Sequence, residues 1–174
     1  MNRRGFLALS GTAAAGLVAG AVMVRRATLP APSLEVLIDE LHAMRGKNLA
    51  TAGVWSPFRI FSHLSQSVDY SLTGFPEMES TAFRQTLGRA AFFAFSTAGA
   101  MRHDLAAPIP GAPALAEDGP TINAIDRLIA SLVRFADYTG ALRPHFAYGE
   151  LDRNEYLAAH ILHVRNHFDE ITIA

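Results

Sequence analysis

The chain has no cysteine among its 174 residues. That excludes disulfide staples, thiolate nucleophiles and Cys-ligated metals. It also lacks an excess of either charge: 15 Lys and Arg stand against 16 Asp and Glu, a formal net charge of -1. There is no basic surplus for nucleic acid and no dense charge run for a membrane surface. A phosphate-binding P-loop, a dinucleotide fingerprint and a Gly-x-Ser-x-Gly elbow are all missing. No segment alternates with the period of a strand, and no internal repeat stands out. Without staples, a folded domain must rest on its apolar core, and 11 Phe with many Leu, Ile and Val can supply one.

What is present begins at the N-terminus. Arg3 and Arg4 stand just ahead of Phe6 and Leu7, and an uncharged run rich in Gly, Ala, Leu and Val extends from Gly5 to Val24. This is the pattern of a bacterial twin-arginine export signal. The run is about long enough to cross a bilayer core, but its Ala and Gly make it only mildly apolar, which favours a signal over a permanent anchor. Ala19-Gly20-Ala21 offers a small-x-small cleavage site before Val22, whereas Arg25-Arg26 just beyond suits an uncleaved anchor. Residues 1 to 30 are therefore read as signal and linker, and 31 to 174 as one domain. The expected location is the periplasm or another extracytoplasmic space, with the twin-arginine translocase as partner during export and membrane attachment only if the signal stays on.

The remainder reads as all-α. Ser33 can cap a first helix near 34–45, with Leu34, Leu37, Ile38, Leu41 and Met44 at helical spacing. Ser56 and Pro57 open a second helix over 57–73, ended by Gly74-Phe75-Pro76. A less regular third segment covers about 80–98, where Gly88 is expected to bend it. Pro108, Pro110, Pro113 and Pro120 then forbid a continuous helix. Ile122, Ile125, Leu128, Ile129, Leu132 and Phe135 predict a fourth helix over 121–139. Asp152 with Glu155 forms a capping box for a last helix over 152–170, and Leu151 can staple onto Tyr156. The expectation is a helical bundle.

Histidine is the unusual chemical resource, with seven in the chain. His160, His163 and His167 fall in the last helix. At about 100° per residue they share one stripe, with His163 near -60° and His167 near -20° from His160. His163 and His167 have the i, i+4 spacing that lets two imidazoles grip one ion, and His63 on the second helix is the natural further donor. Neutral imidazoles suit zinc, nickel, iron or copper. The competing reading is that these rings are half-buried or solvated flank residues, since Leu157, Ile161, Val164, Phe168 and Ile171 carry the apolar face and His163 lies furthest from it. His103 and His145 sit in Pro-containing loops, where local packing is the simpler expectation, and His42 reads as surface. Asp69, Asp104 and Asp126 read as caps and surface charge rather than a catalytic pair.

Three blocks, WSPFRIFSHLSQSVDYSLTGFP, MRHDLAAPIPGAP and PHFAYGELDRNEYLAAHILHVRNHF, resemble a bacterial domain-of-unknown-function family (1569 type) related to the DinB and YfiT-like metalloenzymes. The resemblance covers most of the chain from Ser33 onward. It implies a four-helix bundle with an inner three-histidine site for a divalent metal, zinc or nickel first, formed by one histidine of the second helix and an H-x-x-x-H pair of the last. Some members of the wider superfamily are metal-dependent thiol transferases or isomerases. On this resemblance His63 matches the lone histidine and His160 the first of the pair, but the pair's second position falls on Val164. His163 matches an additional histidine, and His167 falls where the family often has Gln. The implied triad is thus broken, or rebuilt from His63, His163 and His167, or completed by His160 with His167. Two functions follow: an exported metal-dependent enzyme for a small molecule, or a non-catalytic cell-envelope binding protein with a degenerate metal site.

Overall fold

A computed structural model describes residues 33–174; the export signal expected over residues 1 to 30 lies outside them. The described chain is mostly helical. Helix α1 spans Leu34–Met44, strand β1 Leu49–Thr51 and helix α2 Pro57–Thr73. Thr81–Phe83, a π-helical turn over Arg84–Gly88, and Arg89–Ala98 run on as one helical segment, α3. Helix α4 spans Thr121–Asp137, α5 Arg153–Phe168 and strand β2 Ile171–Ile173. Among the described residues no helix is long and apolar enough to cross a membrane.

Local chemistry accounts for where the helices begin. Ser33 Oγ accepts the Val36 N–H, and Ser56 Oγ accepts the Arg59 N–H at 3.2 Å with Pro57 in the first helical position. At α5 the Asp152 carboxylate takes the Glu155 N–H at 2.8 Å, while Glu155 takes the Asp152 N–H at 2.9 Å. Each such cap contributes about 1 kcal/mol. Leu151 and Tyr156, the expected staple pair, are both buried.

Helix α2 packs along α4, and α1 and α5 complete the packing around them. Their shared core holds Leu37, Leu41, Phe61, Leu64, Leu128 and Phe135. Full burial of such side chains stabilises by about 1.5–3 kcal/mol each. Ile122, in the first turn of α4, is exposed instead. The acids expected at the surface are found there: Asp126 pairs with Arg45 at 2.7 Å and Asp69 with Arg134 at 2.6 Å.

Two features depart from the sequence reading. The last helix stops at Phe168, because the chain turns there and enters β2, which pairs antiparallel with β1 (Leu49 opposite Ile173, Thr51 opposite Ile171). In α3, Gly88 marks a π turn, and the reason is contact: a Cβ there would run into the carbonyl of Ala147. The glycine lets α3 close against the 144–149 loop.

Candidate metal centre

Helix α2 brings His63 into the interior, and α5 brings His163 and His167 to meet it. His63 and His167 are buried and His163 is half-buried. A fourth ring, His103, arrives from the loop between α3 and α4 and stands exposed at the rim. Each of these four histidines offers a nitrogen lying within 4.8 Å of the others'. The Nε2 atoms of His63 and His163 are 3.3 Å apart. Two nitrogens bound to one tetrahedral ion at about 2.0–2.1 Å each would stand roughly 3.3 Å apart. At the same distance one ring's N–H can donate to the other's nitrogen, with the roles set by the tautomers.

His167 is oriented from behind. Its Nδ1 donates to Glu170 Oε1 at 2.8 Å, so its Nε2 carries the free lone pair. That Nε2 is buried and without a hydrogen-bond partner, as is His63 Nδ1. An unsatisfied buried polar atom costs about 1–3 kcal/mol, so His167 Nε2 has something to gain from an ion, which His63 would meet through its other nitrogen, Nε2. A carboxylate behind a ligating imidazole fixes its tautomer and raises its basicity. Glu170 owes its position to the small sheet. Its carbonyl accepts the Ala52 N–H at 2.9 Å, and a Cβ on Gly53 would collide with its carboxylate. His103 is steadied by Asn166, whose side-chain amide lies 3.2 Å from His103 Nδ1. Trp55 closes the base, edge-on to His63 at 5.1 Å and parallel to His167 at 6.5 Å.

These rings are held neutral, the form that binds metal. Burial, then the neighbouring His167, His103 and Arg59, push His63 down to about 3. Burial depresses His167 to about 4. His103 also falls to about 4: the residue is exposed, but its ring packs on His163 and His167 and is desolvated there, with His167 adding to the effect and Asp104 and Glu170 pulling the other way. His163 lies well below the usual range, through burial and then the other histidines. Burial raises Glu170, with His103 pulling the other way, and because His167 is itself depressed to about 4 its contact with Glu170 is that of a neutral imidazole rather than a strong ion pair.

His160, matched by resemblance to the first of the paired histidines, stands apart from the four. It is buried, with its Nε2 3.3 Å from Ser71 Oγ and its ring against Phe135 and Tyr156. The reason is antiparallel packing. Ser71 lies eight residues beyond His63 on α2, and His160 lies seven before His167 on α5, so each pair meets at its own level. The pair of α5 that reaches His63 is the i, i+4 pair, His163 and His167. Local packing is the simpler expectation for His103 in its Pro-containing loop; the loop instead carries it onto His163 and His167, with ring centroids 4.9 and 5.3 Å away.

Beside the cluster lies a cavity of about 310 Å³. His63, His103 and His163 form one part of its wall, and Met101, Ile109 and Tyr148 are among its apolar lining. Its size is at the lower end of small-molecule sites, about 300–1,000 Å³.

Fold and site together define a mostly helical protein with four histidines close enough to hold one metal ion. The chain matches the family described as "Protein of unknown function (DUF1569)" over residues 23–173, and it belongs to that family. No curated protein and no solved structure matches it.

Proposed function

We propose that this protein is an exported, divalent-metal-dependent enzyme acting on a small molecule held in the cavity beside the histidine cluster. The observation that carries the reading is the convergence of four neutral imidazoles within 4.8 Å, with two Nε2 atoms already at the separation an ion requires. His63, His163 and His167 would be the inner ligands, with His103 from the loop as the fourth. Zinc or nickel fits this all-nitrogen set. Such an ion, when bound, supplies a Lewis acid or an activated water. The chain's own part is to hold the ligands deprotonated, to orient His167 through Glu170, and to surround the substrate with an apolar wall. The mutual packing of α1, α2, α4 and α5 supports a DinB-like four-helix bundle as the scaffold.

One observation favours a non-catalytic envelope protein instead. Four imidazoles can complete a tetrahedral shell, and a closed shell is the mark of a structural site. His103 decides between the two, because it is the one ligand candidate on an exposed loop and can yield its position. Cobalt(II)-loaded protein should therefore change its visible absorption when azide is added, as an exogenous anion enters the shell. A spectrum indifferent to azide would assign the closed, non-catalytic site.

Export rests on Arg3-Arg4 ahead of Phe6-Leu7 and the uncharged run behind them. The twin-arginine route carries folded proteins, which suits a chain that must load its metal first. Converting both arginines to lysine should leave the protein in the cytoplasm on fractionation. Unchanged export of that double variant would assign another route.

A further inference from the structure

The same cavity is lined by polar groups that the metal reading does not use, Ser67, His145 and His160, and His145 is the one locked in place. His145 is buried in the loop between α4 and α5, stacked on Tyr148 with ring centroids 4.3 Å apart and planes 10° apart. The loop is closed by two backbone bonds between His145 and Gly149, at 2.8 and 3.1 Å, with Gly149 at φ 75°. That conformation favours glycine. Inside it, His145 Nδ1 accepts two backbone N–H groups, from Ala147 at 3.1 Å and Tyr148 at 3.2 Å. An imidazole nitrogen that accepts cannot carry the proton, so the neutral ring must hold it on Nε2. Among the described residues that Nε2–H meets no acceptor, and the ring forms part of the cavity wall.

A hydrogen-bond donor locked in one tautomer, on a wall it shares with apolar side chains and with Ser67 and His160, is a recognition element. We propose that His145 is a specificity-determining residue. It donates Nε2–H to an acceptor oxygen of a small apolar carboxylate whose carboxylate end lies at the histidine cluster. This rests on the metal reading above. Four neutral imidazoles with one carboxylate, Glu170, behind them leave a divalent ion with net positive charge, which favours an anionic group there. The one acid on the cavity wall, Asp104, is exposed, and its Oδ1 already accepts the Ala106 N–H at 3.0 Å. An apolar body matches Met101, Pro108, Ile109 and Ala159, which line the same cavity.

The test uses the zinc-loaded protein and two probes of nearly equal shape, 4-acetylbenzoate and 4-isopropylbenzoate. Zinc is titrated first; a protein that takes up no zinc ends the metal reading itself, independently of His145. With zinc bound, the acetyl probe should bind about tenfold more tightly than the isopropyl probe, the worth of one hydrogen bond to a desolvated donor. His145→Asn keeps an acceptor for the two loop N–H groups but has no Nε2–H. It should retain zinc and lose the preference. Nitrogen-detected NMR of the unmodified protein at pH 7 should show the His145 proton on Nε2, a readout that needs neither metal nor variant. Equal binding of the two probes to zinc-loaded wild-type protein, or a proton on Nδ1, would overturn the proposal while leaving the metal reading in place.

Discussion

Replacing His63 by alanine should weaken zinc binding by at least about 100-fold, whereas replacing His160 by alanine should leave it within about threefold. His63 Nε2 stands 3.3 Å from His163 Nε2 and belongs to the cluster of four. His160 Nε2 is engaged with Ser71 and its ring is packed against Phe135. Both rings are buried, so both substitutions open a cavity and both should lower the unfolding temperature. Stability therefore does not separate them, and metal affinity does. A competition titration against a chromophoric chelator reads the difference directly. Comparable losses for the two variants would place the ion at the level of His160, as the family resemblance alone implies.

Below pH 6.5 the metal-free protein should lose stability steeply and unfold near pH 4.5, to order of magnitude. Burial holds His63, His145 and His160 at about 3 and His167 at about 4. In the unfolded chain each ring takes its proton near the ordinary value of about 6.5. Between 6.5 and these depressed values the unfolded state binds more protons, so falling pH favours unfolding. Above 6.5 the stability is fully present. Each ring removes about 1 kcal/mol per pH unit in that window. Four acting together reach the roughly 5–15 kcal/mol stability of an ordinary domain within about two units. His163 adds in the same direction. Zinc, which binds only the neutral rings, should move the midpoint to lower pH. Circular dichroism against pH, with and without zinc, measures both effects. A stability that stays flat from pH 6.5 to 4.5 would mean the rings are solvated and the interior site is absent.

The helices were legible because their signals are local. Ser33, Ser56 with Pro57, and Asp152 with Glu155 announce helix starts within a few residues, and the structure caps its helices with those side chains. The β1–β2 pair was not legible, since three residues near position 50 meet three near 172, and so short a strand has no period to read. For the site, the i, i+4 spacing of His163 and His167 was the informative signal. Helical angle alone grouped His160 with His167 on one stripe, but seven residues are about 10.5 Å of axis. Across antiparallel helices that distance sends the two rings to different partners. His163 falls away from the apolar face of α5 defined by Leu157, Ile161 and Val164, but that face is not the helix's one buried side. In the structure Asn166, His167 and His160 are buried too, on the side of α5 that the loop carrying His103 and the cavity cover. His103 itself gave no periodic signal, because its position depends on the route of a Pro-rich loop.

If the cluster holds one divalent ion through imidazole nitrogen, the ion's own spectrum must show it. X-ray absorption at the metal edge, on protein purified without chelators and quantified by elemental analysis, tests it most directly. The expected result is about one zinc or nickel per chain, with three or four imidazole nitrogens at roughly 2.0–2.1 Å. Protein that carries no stoichiometric metal and takes up none when offered, or metal bound chiefly through oxygen, would contradict it.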